Sequence, residues 1–185
     1  MTEYREINDP GLRSRVEARY GAEMALLQTL GFRHLAHKLE TLGPFSAIVQ
    51  FPIVLLMRRS KEVLVFPFPF RLAAAYVLLV RSEPSCIADC MGMGVKFFTR
   101  FSDDSILISS TLESHVALQN SSGERLDSQI IRTPPCKTPR EAWLSHKSRI
   151  AQIEAQGGTI YSINSFADYV AISIREEADL RSKMA

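Results

Sequence analysis

The sequence predicts a single α+β domain over residues 1–185, in which an N-terminal helix and two C-terminal helices pack on an antiparallel sheet of about five or six strands. Three observations predict this fold. The stretch from Gly94 to Glu113 has the pattern of a β-hairpin, and helix-start signals stand at Asp9 and at Thr138, on either side of a block of strand-like runs. Helices that flank the strands, instead of alternating with them, are typical of the α+β class.

The first helix is predicted from its start signal and its apolar spacing. Asp9 suits the N-cap and Pro10 suits the first helical position, where a missing N–H costs nothing. An apolar stripe at spacings of three and four then leads to Gly31, which can end the helix. The stripe consists of Leu12, Val16, Tyr20, Met24, Leu27 and Leu30. We expect it to cover the sheet, although a partner helix could pack on it instead. Residues 32–42 fit either a short helix or a weakly alternating strand.

Two apolar runs, 47–57 and 62–66, predict buried strands because they are rich in Ile, Val, Leu and Phe and are joined by a charged turn. Pro67 and Pro69 follow, and each removes a hydrogen-bond donor from a strand. We therefore expect the FPFPF segment, residues 66–70, at a sheet edge or in a crossing loop.

A further strand is predicted over residues 72–81. Its three alanines would permit a helix, but Tyr76 and the Val and Leu residues after it favour a strand. Residues 82–94 contain Pro84 and two glycines, and this composition predicts a connecting loop.

The hairpin after this loop is predicted from alternation around a polar turn. Side chains of a strand point alternately to its two faces, so one face carries Val95, Phe97, Thr99 and Phe101, and the other carries Lys96, Phe98 and Arg100. The turn 102–105 consists of Ser and Asp, and the β-branched run 106–108 returns. Residues 126–132 predict one last, shorter strand.

The two C-terminal helices are predicted from capping signals. Thr138, Pro139 and Glu141 have the spacing of a capping box with proline at the first position. The buried stripe of this helix is predicted to be Trp143, His146, Ile150 and Ile153, and two glycines, 157 and 158, can end it. A terminal helix is predicted from Ser165 onward, with a strand over 169–174 as the alternative.

Composition and charge exclude several classes of function. The chain has 22 basic and 20 acidic residues, so its net charge gives no reason to expect nucleic acid, which normally requires a clustered basic face. The polar start lacks the pattern of a secretory signal, and three cysteines, an odd number, fit a reducing compartment, so we expect the cytoplasm. The prolines and charges in the apolar runs disfavour a membrane-spanning helix. The polar ends, 1–8 and 181–185, are expected to fray.

Four residues could form a zinc site if the fold brought them together: Cys86, Cys90, His34 and His37. The two cysteines would share a face only on a helix, and the loop predicted around them is not helical. Two small buried thiols and two surface or interfacial histidines explain the same residues. We therefore predict no metal ion and no cofactor.

Catalytic signals are equally weak. His115 stands close to several serines and His146 follows Cys136, but no Gly-x-Ser-x-Gly motif surrounds any candidate nucleophile. His146 falls on the apolar stripe of its helix, where a hydrogen-bonded core histidine is the more common occupant. The pair of glutamates at 176 and 177 is interpreted as a solvated helix face. A small hydrolase using His115 or His146 with a nearby Ser, Cys or carboxylate is kept as the alternative function.

The remaining unusual feature is the apolar region 45–76, which is interrupted by basic residues. It could form core strands, line a cavity for an apolar small molecule, or make a surface that docks on a protein partner or an anionic membrane. We predict a non-enzymatic intracellular module that acts through this region, with homodimerisation left open. The expected contact residues are Phe66, Phe68, Phe70, Arg71, Arg58 and Arg59.

Overall fold

The computed structural model describes residues 2–41, 63–65, 73–91, 94–111 and 130–184. These residues form eight strands and three helices, in the order β1 (Glu3–Glu6), α1 (Pro10–Thr29), β2 (Arg33–Thr41), β3 (Val63–Val65), β4 (Ala73–Ser82), β5 (Ser85–Met91), β6 (Gly94–Arg100), β7 (Ile106–Ser110), β8 (Ile130–Arg132), α2 (Pro139–Ala155) and α3 (Phe166–Met184). The α+β class is confirmed. The described strands exceed the five or six predicted.

The chain groups into two compact units, which are described separately. Unit 1 comprises Met1–Leu79 and Asp89–Met93, and unit 2 comprises Val80–Ala88 and Gly94–Ala185. Strands β4 and β5 run through both units, because each crosses a boundary between them. The single domain expected over residues 1–185 stays a prediction.

In unit 1, strand β2 lies between β1 and β4. It pairs antiparallel with β1, from Glu3 opposite Thr41 to Glu6 opposite Lys38, and β3 pairs antiparallel with β4. Residues 33–41 are therefore a strand, which resolves the ambiguous pattern of that stretch. Strand β1 lies within the N-terminal residues that were expected to fray.

Helix α1 begins and ends as predicted. The Asp9 side chain accepts a hydrogen bond from Leu12 N at 2.6 Å, and Gly31, just past the helix end, has a φ of 87° that favours glycine. The helix contacts β2 and β3. Its fully buried residues all belong to the predicted apolar stripe and are Val16, Tyr20 and Leu27.

In unit 2, the predicted hairpin is present as β6 and β7, with Phe98 opposite Ile108 and Arg100 opposite Ile106. Strand β8 pairs parallel with β7, so the sheet is mixed rather than purely antiparallel as predicted. A long connection can return a strand in either direction, and alternation does not reveal which. Helix α2 contacts β6 and β7. In the core between them, Ile150 of α2 packs with Phe101 and Leu107.

The predicted loop over residues 82–94 is wrong, because strand β5 occupies most of it. All residues of β5 except Met91 are buried. Its sequence, SCIADCM, is made mostly of small side chains and contains an aspartate; Ile87 is its one β-branched residue and it has no aromatic residue, so the strand signal is weak. The turn is confined to Glu83 and Pro84, which are joined by a cis peptide bond.

The C-terminal helices also begin as predicted. In α2 the Thr138 hydroxyl accepts from Glu141 N at 3.2 Å while the Glu141 carboxylate accepts from Thr138 N at 3.3 Å, which confirms the capping box. Gly157 follows the helix with a φ of 92°. In α3 the Ser165 and Asp168 side chains each accept a hydrogen bond from the other's backbone N–H. Residues 169–174 belong to this helix and not to a strand.

Candidate functional site

The six predicted contact residues, Phe66, Phe68, Phe70, Arg71, Arg58 and Arg59, lie outside the described residues. The described end of the apolar 45–76 region is part of the core of unit 1, since Ala73, Ala75 and Tyr76 are at most 4% exposed. In the described ranges the exposed large apolar side chains are Leu144, Tyr161 and Ile174. Within those ranges, no helix is long and apolar enough to cross a membrane.

The four-residue zinc candidate is not assembled as proposed. Cys86 and Cys90 lie on one strand, where residues four apart are separated by about 13 Å. Burial raises the pKa of Cys86 to about 12 and also raises the pKa of Cys90, so both are inert thiols. Within the described part of the chain, no three His, Cys, Asp or Glu side chains come together as metal ligands. His34 and His37 do contact each other.

A chain of hydrogen bonds surrounds His146 in the core of unit 2. The imidazole Nδ1 is 2.8 Å from Ser109 Oγ, and Nε2 is 3.0 Å from Thr99 Oγ1. The Thr99 hydroxyl donates to the Ser85 carbonyl at 3.0 Å, and the Thr133 hydroxyl donates to Ser109 Oγ at 2.9 Å. His146, Thr99 and Ser109 are at most 1% exposed.

The direction of each bond in this chain can be assigned. The single hydroxyl proton of Thr99 goes to the Ser85 carbonyl, so Thr99 accepts the proton of His146 Nε2. Nδ1 is then unprotonated and accepts from Ser109, which in turn accepts from Thr133. Each polar atom of the histidine is therefore satisfied in its neutral form, which is what a buried polar network requires.

This arrangement argues against His146 as a catalytic base. Ser109 and His146 have the separation of a nucleophile and its base. However, burial lowers the pKa of His146 to about 3, so the ring is too weak a base to take a proton at neutral pH. In a catalytic triad the other ring nitrogen of the histidine bonds a carboxylate, whereas in this protein it bonds the hydroxyl of Thr99. The other candidate, His115, lies outside the described residues.

A cleft of about 570 Å³ opens in unit 2 beside helix α2, and we call it the α2 cleft. It is lined by the β4–β5 turn, from Ser82 to Ser85, by residues of α2 between Lys147 and Glu154, and by Ile160 and Ser162. Its apolar surface comes from Ile150, Ala151 and Ile160, and its charged groups are Lys147, Glu83 and Glu154.

Ser85 connects the α2 cleft to the buried network. Its hydroxyl accepts from Ile163 N at 2.8 Å, and its carbonyl accepts from Thr99. Because Thr99 is in turn bonded to His146, the wall of the cleft is held by hydrogen bonds that extend into the core. We interpret His146 as a positioning residue, which fixes the strands behind the cleft.

Two cations lie close to the Trp143 ring, and one of them, Lys147, also lines the α2 cleft. The Arg81 guanidinium lies 5.5 Å from the Trp143 ring centroid, and the Lys147 ammonium lies 5.7 Å from it. Arg81 also donates to the Glu83 carbonyl at 2.7 Å. The indole is 2% exposed, and cations near a tryptophan ring are attracted to its electron-rich face. A ligand in the α2 cleft would meet one cation, Lys147, and the carboxylates of Glu83 and Glu154.

Two buried ion pairs were missed by the sequence analysis. In unit 1, Lys38 is fully buried and donates to Asp89 at 2.6 Å. In unit 2, Lys96 donates to Glu176 at 3.2 Å, and Glu176 is 6% exposed, so it is not the solvated residue that was predicted. No spacing pattern in the sequence indicates either pair, because Lys38 and Asp89 are 51 residues apart and Lys96 and Glu176 are 80 residues apart.

Lys38 is held as a cation in the core of unit 1. Burial alone would lower the pKa of Lys38, but the Asp89 and Glu40 carboxylates outweigh burial and raise it. The Tyr76 ring lies 4.8 Å from the ammonium. A lysine with a raised pKa is not a nucleophile at neutral pH, so this pair is structural.

No protein-family model, no curated protein and no solved structure matches this chain.

Proposed function

We propose that this chain is a non-enzymatic module that binds a small ligand with an apolar body and a charged end. The observation that carries the proposal is the α2 cleft. Its volume of about 570 Å³ falls within the range of about 300–1,000 Å³ that small-molecule sites occupy. It combines an apolar wall with a few charged groups, which is the composition expected of such a site.

The state of several candidate catalytic groups supports a binding role. The histidine nearest to a hydroxyl nucleophile is buried and neutral, and the thiols of Cys86 and Cys90 are buried and protonated. Lys147 and Glu154 face the α2 cleft, but both are exposed. Charged groups in contact with water orient a ligand by attraction, and they lack the desolvation that activates a catalytic acid or base.

Native mass spectrometry of the purified protein, compared with its denatured mass, tests the proposal directly. We expect extra mass of small-molecule size on the native protein. In addition, the dye 1-anilinonaphthalene-8-sulfonate has an aromatic body and one negative charge, so we expect it to occupy the α2 cleft near Lys147 and to gain fluorescence.

A pair of matched variants locates the site. Ala151→Trp fills the α2 cleft, whereas Ala155→Trp places the same side chain one turn further along α2, outside the cleft lining. Both alanines are exposed, so both variants are expected to fold. Ala151→Trp should remove the bound mass and the dye fluorescence, and Ala155→Trp should retain both. A wild-type protein with neither bound mass nor dye binding would contradict the proposal.

The docking version of the predicted function is kept as a second candidate. It rests on the concentration of aromatic and basic residues at Phe66, Phe68, Phe70, Arg71, Arg58 and Arg59. Burial of apolar groups, together with about 1 kcal/mol for each basic residue near the surface, would hold such a segment on an anionic bilayer. Sedimentation with phosphatidylserine vesicles at low salt is the test, and full recovery of protein in the supernatant would rule out the membrane version.

A further inference from the structure

His34 and His37, on strand β2 of unit 1, place two ring nitrogens face to face. His34 Nε2 is 3.2 Å from His37 Nδ1, and the ring centroids are 4.5 Å apart. Two imidazole nitrogens that bind one tetrahedral zinc ion at about 2.0–2.1 Å lie about 3.3 Å from each other. The two nitrogens therefore already have the separation of two ligands on a single ion.

The carboxylate of Glu17 prepares His37 for this role. His37 Nε2 lies 3.2 Å from Glu17 Oε1. His37 Nε2 makes no hydrogen bond in the structure, and a small movement of the half-exposed Glu17 side chain would let it donate to the carboxylate. A carboxylate can only accept, so this pairing requires the ring proton on Nε2 and leaves the lone pair of Nδ1 for His34 or a metal ion. A carboxylate on the far nitrogen is the usual support of a metal-binding histidine.

The state of charge also suits a cation. The charged groups that act on His34 are the carboxylates of Glu17 and Glu6 and the guanidinium of Arg13. An arriving cation thus meets two imidazole rings, two carboxylates and one guanidinium.

The pair is open to solvent on one side. His34 is exposed, whereas His37 is 4% exposed. With the His37 proton on Nε2, the metal-free pair has His34 donating its Nε2 proton to His37 Nδ1. On metal binding the proton leaves Nε2 and His34 keeps a proton on Nδ1 instead, so both rings remain neutral and no net proton is released.

We propose that His34 and His37 bind one exchangeable divalent transition-metal ion, with zinc as the reference, and that Glu17 positions His37 in this site. Imidazole nitrogens suit zinc, copper and nickel ions. Among the described residues no third protein ligand completes the set, so water fills the other positions and the ion can exchange.

Isothermal titration of the reduced protein with zinc chloride tests the proposal. We expect one zinc ion per chain in the wild type and at least about a tenfold loss of affinity in His34→Ala. Arg33→Ala is the matched control, because Arg33 is the exposed neighbour on the same strand, and it should bind zinc as the wild type does. Glu17→Gln should lose about tenfold in affinity, as is typical when the partner of a metal-binding histidine is removed.

His34→Ala is the decisive variant because His34 is exposed, so its removal is expected to leave the fold intact. Circular dichroism checks that His34→Ala is folded. A variant of the buried His37 is not used, because it could lose zinc binding simply by losing the fold. A wild type that binds no zinc would overturn the proposal. Unchanged zinc binding in His34→Ala would also overturn it, because the ion would then lie elsewhere. Unchanged binding in Glu17→Gln would remove the positioning role of Glu17.

Discussion

Two polar residues of this protein, His146 and Lys38, are fully buried, and the structure gives each of them a partner. His146 is fully buried on the stripe of α2 and is hydrogen-bonded through both ring nitrogens. Lys38 is fully buried in β2 and is paired with Asp89. Such groups tie distant segments together, because each would be costly to bury alone.

We predict that His146 stays neutral well below the ordinary histidine range. Its folded pKa of about 3 lies below its value of 6.5 in the unfolded chain. The unfolded state therefore binds one more proton than the native state between these values. His146 thus lowers stability as pH falls through 6.5, by about 1.4 kcal/mol per pH unit until the folded pKa is reached.

Nuclear magnetic resonance checks this prediction. The ring proton signal of His146, assigned by its loss in His146→Gln, should not shift between pH 7.5 and about 4.5. Unfolding in urea at a series of pH values should also show a weaker acid dependence for His146→Gln than for the wild type. A signal that titrates near pH 6.5 would contradict the buried, neutral histidine.

A second residue prediction concerns the pair of Lys38 and Asp89. Lys38→Met removes the cation and leaves a buried carboxylate without it, so we expect a loss of about 3–5 kcal/mol in the free energy of unfolding. The double variant Lys38→Met with Asp89→Leu removes both charges and should recover most of that loss. Urea unfolding of the two variants decides the matter, and a double variant that is less stable than the single one would refute the prediction.

At the scale of elements, short-range signals placed the helix starts and the hairpin correctly. Asp9, Thr138 and Ser165 cap helices at the predicted residues because a capping bond spans only three positions of the chain. The β6–β7 hairpin follows from alternation around the turn 102–105. Strand β5 was missed because its buried residues are small and its aspartate is paired far along the chain.

We predict that Thr138→Ala destabilises the protein by about 1 kcal/mol, because it removes one half of the capping box of α2. Ser148→Ala, in the middle of the same helix and exposed, is the control and should change stability by no more than about 0.5 kcal/mol. Thermal unfolding followed by circular dichroism compares the two. Equal effects of the two substitutions would show that the cap does not contribute.

At the scale of the whole molecule, the two units share strands. Each unit contains part of β4 and part of β5, so neither unit contains either strand in full. We therefore predict that the units unfold together, as expected of a single cooperative domain.

Native-state hydrogen exchange read by mass spectrometry measures this. Peptides from β2 in unit 1 and from α2 in unit 2 should exchange with similar opening free energies. Fluorescence of Trp143, which is the only tryptophan of the sequence, should follow the same urea transition as circular dichroism. Two separated transitions would indicate independent units.

The candidate sites were harder to predict than the fold. The sequence analysis named His34, His37 and His146 as residues of interest, but it did not identify their partners. Ser109, Thr99 and Glu17 carry no motif, and their roles arise from where the strands and helices place them. The α2 cleft combines residues 82–85 with residues 147–162, and no local pattern joins these segments.

Short-range sequence signals are enough to predict the α+β class, the three helix starts and the central hairpin, because caps, turns and alternation act between residues a few positions apart. The parallel pairing of β8, the strand at Ser85–Met91 and the burial of Lys38, Asp89 and Glu176 are visible only in the folded chain. These depend on contacts between residues tens of positions apart. Each of these charged residues is buried together with a partner that is distant in the sequence, and short-range sequence patterns do not identify that partner.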